Sequence, residues 1–162
     1  MSNFISLIVR YISYLTAFTL VLLVALIIFD ATNRYLFSSG STALQELEWH
    51  FFDVVMLLSL AYTLKHNAHV RVDIFYDNFS LKTQTLINIL SVVFFILPFS
   101  FLIVYISIGF VELSFIQNEM SSDPGGLSYR WIVKSLMPLS FIFLSLQAFK
   151  ILVIEVKKWR SL

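Results

Sequence analysis

Four long apolar runs, separated by short loops that carry most of the charge, take up most of this 162-residue chain. Crossing the hydrocarbon core of a bilayer, about 30 Å thick, takes about 20 apolar residues of helix. Tyr11 to Phe29 is such a run, with no charge between Arg10 and Asp30. Leu47 to Leu64 is a second, with Glu48, His50 and Asp53 in its first half, and Leu86 to Val111 is a third, uncharged throughout. Ser135 to Ile154 is the fourth, interrupted only by Lys150. The runs predict an all-α integral membrane bundle of four transmembrane helices, spanning about 11–29, 47–64, 86–111 and 135–154 within a single membrane domain over residues 1–162.

Charge supports this reading, since charged residues make up 13% of the chain against about 25% in a soluble domain. A soluble bundle would bring polar residues back every three or four positions, whereas the third run is apolar on every face. The absence of cysteine excludes disulfides, thiol nucleophiles and thiolate metal sites. A net charge of +1 gives no footing for nucleic-acid binding. No Ser-His-Asp set, phosphate loop or HExxH pattern is present, so no enzymatic activity is expected. The first apolar run is too long for a signal-peptide core and no small-x-small cleavage site follows it, so it is expected to be a retained anchor.

Orientation follows from Lys and Arg. Eight of them fall on the side that holds both termini and the second loop, and three (Arg34, Arg130 and Lys134) on the other. Both termini are therefore expected in the cytoplasm, with the acidic first and third loops outside. Trp49, Trp131 and Trp159 lie near predicted span ends, where amphipathic rings settle at the membrane interface.

Ser38-Ser39-Gly40-Ser41 breaks the first helix, and Thr42-Ala43-Leu44-Gln45 has the spacing of a capping box. With Leu44, Leu47 and Phe51 at helical intervals, a short interfacial helix is expected between spans 1 and 2. The alternative is that Thr42 caps an extended second helix. Asp53 lies one turn past Trp49, with His50 and Glu46 on the same face. A carboxylate in a span is usually paired or functional. It can serve as a proton or cation site, as a structural ion pair, for which Arg34 is a candidate partner, or as a contact to a partner subunit. His66 and His69 sit in a short loop and His50 near the opposite face, an arrangement unsuited to bis-histidine haem or zinc. Pro98 and Pro138 should bend the third and fourth spans. The uncharged stretch Thr83–Val111 reaches roughly 43 Å, which implies tilt or protrusion.

Two stretches carry a resemblance to a known family. Glu46-Leu47-Glu48-Trp49 leads through Ala61-Tyr62-Thr63-Leu64-Lys65 to His69-Val70-Arg71-Val72-Asp73; Asp123-Pro124-Gly125-Gly126-Leu127 is followed by Tyr129-Arg130-Trp131, Lys134, Pro138 and Leu146-Gln147. With its length and four spans, the chain resembles the DctQ-like small permease subunits of tripartite ATP-independent periplasmic (TRAP) transporters. The second stretch is similar to members labelled for mannitol or chloroaromatic compounds.

The resemblance implies a small membrane subunit that scaffolds a larger one in sodium-coupled, binding-protein-dependent uptake of an organic acid or related solute. It implies as partners that large membrane subunit, a periplasmic substrate-binding protein and the lipid bilayer, in a bacterial inner membrane. It implies no cofactor in this subunit, with sodium ions held by the large partner. Glu46, Glu48, Trp49 and Asp53 would then anchor the second span at the outer interface and touch the large subunit. His69, Arg71 and Asp73 would fix the cytoplasmic loop, and Asp123, Pro124, Gly125 and Gly126 would form an outer turn near the binding protein. Two other classes stand beside this one: a stand-alone homo-oligomeric exporter, and the membrane anchor of a respiratory enzyme.

Overall fold

The computed structural model describes residues 2–66, 76 and 78–162. Its helices are α1 (Ser2–Leu36), α2 (Thr42–Lys65), α3 (Leu81–Ser91), α4 (Leu97–Ile116), α5 (Trp131–Lys134) and α6 (Leu136–Ser161), with a π-helical turn, Val92–Ile96, joining α3 to α4. Four helical stretches are long and apolar enough to cross a membrane: Phe4–Leu36, Thr42–Lys65, Leu81–Ile116 and Trp131–Ser161. Each contains one predicted run and extends beyond it. They pack as a row, in the order α1, α2, α6 and then the third span, because α6 lies along both α2 and α3–α4 while α1 barely reaches α6. Only 17–28% of each span is buried inside the row, the most in the span that contains α6, so both broad faces are open to lipid or to another protein.

The seams within the row follow a seven-residue spacing, the repeat of left-handed helix packing. On α1, Val9, Thr16, Leu23 and Asp30 are all buried, and α2 is that helix's main neighbour. On α4, which packs along α6, the buried residues include Ser100, Ser107 and Ser114. Lipid tails give helices no hydrophobic reason to associate, so small residues that allow close backbone approach are favoured there. The Ser100 and Ser107 hydroxyls donate to the Ile96 and Ile103 carbonyls of their own helix, both at 2.6 Å. These serines therefore serve the seam by their small volume rather than by bonding across it.

The π turn sets the phase of that seam. Upstream, Thr85 and Val92 are buried seven residues apart, but the serine stripe begins at Ser100, eight beyond Val92. Pro98 has no N–H to offer the Phe94 carbonyl. The chain widens instead, and the Leu97 N–H bonds the Val92 carbonyl five residues back. A π turn takes up one extra residue. An unbroken seven-residue repeat would have placed Phe99, Ile106 and Leu113 against α6, and these are 55%, 58% and 55% exposed. The extra residue turns the bulky stripe outward and the serines inward.

The expected interfacial helix between the first two spans does not form. Residues 42–46 are the opening turns of a continuous α2. Thr42-Ala43-Leu44-Gln45-Glu46 contains nothing that stops a helix, and Ala, Leu, Gln and Glu are strong helix formers. The capping box is absent too: extended Ser41 holds the cap position without a side-chain bond, and its carbonyl accepts from the Gln45 N–H at 3.2 Å. The break before α2 does fall at Ser38–Ser41, with Ser38 at φ +50°. Pro138 has no N–H to offer the Lys134 carbonyl, and the fourth span is interrupted at Ser135. The third span is longer still than the uncharged run, 36 residues or about 54 Å. At the opposite end from α2's start, Asn88 of α3 donates to Glu155 of α6 at 3.2 Å, and the Lys82 ammonium lies 5.7 Å from the Trp159 ring.

Candidate functional site

The polar groups of the fold concentrate where α2 begins and α4 ends. The chain leaves α4 through Gln117 and reverses at Asn118, whose φ of +46° is left-handed. The Asn118 N–H bonds the Phe115 carbonyl at 3.1 Å and the Glu119 N–H bonds Ser114 at 3.0 Å, which together make a Schellman close. Asp123-Pro124-Gly125-Gly126 then forms a type II turn. Pro124 presets its first corner, Gly125 takes the second at φ +78°, and the Gly126 N–H reaches the Asp123 carbonyl at 3.0 Å. The Ser121 N–H closes the loop on the Leu127 carbonyl at 3.0 Å.

That loop is folded around Glu46, which is only 8% exposed. One carboxylate oxygen accepts from the Ser121 hydroxyl and from the Arg130 guanidinium at 3.1 Å; the other accepts from the Leu127 N–H at 2.6 Å. The approach depends on Gly126, where a Cβ would lie 2.4 Å from Ser121 Cβ and 2.9 Å from the Glu46 carboxylate. A second pair, Glu119 with Lys134, ties the start of the loop to α5, and the Lys134 ammonium also sits 4.0 Å from the Phe110 ring centre. Lys134 holds the Glu119 carboxyl below its ordinary value of 4.5. Glu46 and its donors therefore form a clamp that binds α2, α5 and the loop into one unit.

Below the clamp, Glu46, Trp49, His50, Asp53, Arg130, Val133 and Lys134 line a cleft of about 230 Å³. The structure thus brings together Glu46, Trp49 and Asp53 of the expected site, with Gly126 packed behind Glu46. Asp123, Pro124 and Gly125 are exposed at the tip of the turn. Glu48 points elsewhere, within electrostatic range of the Asp30–Arg34 pair on α1. The suggested Arg34–Asp53 pair does not form, because Arg34 is bonded to Asp30 one turn earlier on its own helix. His69, Arg71 and Asp73 lie outside the described residues. Among the described residues, no three of His, Asp and Glu gather closely enough to hold a metal ion.

The family profile described as the DctQ component of tripartite ATP-independent periplasmic transporters matches residues 23–158. The chain belongs to the DctQ family. It is a small membrane subunit of a TRAP transporter, and the match takes in the clamp, the cleft and the later part of α1, from residue 23 on. No curated protein matches the chain. For this DctQ subunit, sequence reasoning missed Arg130, Lys134, Glu119 and Ser121 as members of the site. The available signal was the balance of charge: the two loop-end cations Arg130 and Lys134, one helical turn apart, face two acids at the same end of the bundle.

Proposed function

We propose that this subunit is the fixed frame of a TRAP transporter, beside which a larger membrane subunit carries the solute. The family match over residues 23–158 carries the reading. The geometry supports it, since a row of four spans with open apolar faces offers a long wall rather than an enclosed path. Three of the charged pairs at the loop end are committed to holding the frame: Asp30–Arg34, Glu46–Arg130 and Glu119–Lys134. In this reading sodium binds the large subunit and drives uptake of an organic acid or related solute delivered by a binding protein. In this reading the clamp lies on the periplasmic side of a bacterial inner membrane, an orientation that the Lys and Arg bias supports. The Asp123–Gly126 turn then faces the binding protein, and His69, Arg71 and Asp73 belong to the cytoplasmic loop.

The test is a mild-detergent pull-down of the tagged chain from its native membrane, with mass spectrometry of what is retained. A stoichiometric, much larger multi-span protein is expected. Recovery of the chain only as a homo-oligomer would overturn the reading and favour a stand-alone exporter.

A further inference from the structure

Asp53 is left over from the pairing that satisfies its neighbours. It stands seven residues beyond Glu46, about 10 Å further along α2, at the middle of a membrane-crossing helix. Asp30, Glu46 and Glu119 each hold a cation of this chain. Asp53 is half-buried, and among the described residues it has neither an ion pair nor a hydrogen bond. The Lys and Arg that line its cleft, Arg130 and Lys134, are turned to Glu46 and Glu119, and His50, one turn back on α2, lies within electrostatic range of Asp53 without forming an ion pair. A carboxylate in a span is costly to hold unless something pairs with it, and such groups face a protein neighbour or water rather than lipid.

We infer that the cleft receives a Lys or Arg side chain from a helix of the large membrane subunit, which pairs with Asp53. Trp49, 68% exposed, and Val133 supply apolar walls for the aliphatic stem of such a side chain, and Asp53 supplies the single unmatched negative charge. A guanidinium or ammonium forms its strongest hydrogen bonds with a carboxylate, and more so away from water. The inference rests on the proposed frame role, because it needs a neighbouring membrane protein.

The test uses tagged wild type, Asp53→Asn, Asp53→Glu and Asp53→Lys chains expressed with the rest of the transporter. Each is read for co-purified large subunit, solute uptake and the thermal midpoint of the isolated chain. Wild type and Asp53→Glu should retain the large subunit. Asp53→Asn should lower its recovery about tenfold or more, and Asp53→Lys should abolish it until a Lys or Arg of the large subunit is changed to Glu. The isolated Asp53→Asn chain should be at least as heat-stable as wild type, since it loses a half-buried charge that no Lys or Arg among the described residues pairs with. A lower midpoint would overturn the inference by making Asp53 an internal structural group. Full recovery of the large subunit with Asp53→Asn would also overturn it; loss of uptake alone would then assign Asp53 to a small cation or proton. If wild type itself retains no larger membrane protein, the frame reading fails and this inference fails with it.

Discussion

Glu46 and Ser107 are both buried polar side chains, and they hold their helices in opposite ways. Glu46 accepts from Ser121, Leu127 and Arg130, all on segments remote in sequence, so the clamp depends on that carboxylate being where it is. Ser107 donates to Ile103 of its own turn and gives α6 only a small surface to pack on. At the clamp, chemical identity is decisive and space is adjusted to suit it, by Gly126 for example. In the seam, volume and phase are decisive and the hydroxyl is secondary. The difference follows from the surroundings: water-facing loops give charged groups partners to gather, while helices inside a bilayer gain mainly from close contact.

The largest effect should come from breaking the phase. Deleting Ile103 moves every later residue of α4 back by one position, which brings Ile108 and Phe115 to the places of Ser107 and Ser114 against α6. Bulky side chains in a close seam should prevent packing altogether, and the expected result is no monodisperse protein on size-exclusion chromatography. Deleting Phe95 and changing Pro98→Ala also removes one residue, but from the π turn. It leaves Thr85, Val92, Ser100, Ser107 and Ser114 in an unbroken seven-residue repeat. That variant should be recovered, with a thermal midpoint within about 5 °C of wild type. Equal behaviour of the two deletions would mean that the π turn does not set the phase.

How far this was readable in the sequence depends on whether a feature is local. The four spans were legible because apolar length is local, and so was the Asp123–Gly126 turn, which follows from Pro and Gly placement. The interfacial helix was misread because polarity changes near Leu47 while the backbone preference does not, and a helix stops for backbone reasons. The serine stripe was visible as residues seven apart, but its link to Thr85 crosses an eight-residue step that makes sense only once the π turn is known. The clamp joins Glu46 to Arg130, 84 residues away, and no local pattern announces which acid meets which base. The order of the row was equally hidden, because apolar helices carry little in their sequence to say which neighbour they prefer.

A middle-sized effect should separate clamp from seam directly. Gly126→Ala places a Cβ against Ser121 and the Glu46 carboxylate, so the loop must lift away from its anchor. Overpacking of this kind costs about 1–3 kcal/mol. Ser107→Ala keeps the seam narrow and strands no acceptor, because the Ile103 carbonyl still has its helix bond; it should cost less than about 1 kcal/mol. Thermal midpoints of the two variants in the same detergent check the order. A larger loss for Ser107→Ala would show that the seam, too, depends on its hydroxyls.

The smallest effect is a pH dependence confined to the loop. Lys134 holds the Glu119 carboxyl below its ordinary value of 4.5. A depressed carboxylate contributes stability at pH values above its unfolded value and loses it as pH falls through its folded value. The Glu119–Lys134 tie should therefore be fully present at neutral pH, persist to about pH 4.5, and weaken only below that. Hydrogen exchange of residues 117–130, followed from pH 7 downward and corrected for intrinsic rates, should show wild type better protected than Glu119→Gln by a constant margin until about pH 4.5. The margin should close below that value, because a protonated Glu119 and a glutamine are then equally uncharged beside Lys134. A margin that closes between pH 6 and 7 would instead mean that a group other than Glu119 sets the pH response of this end.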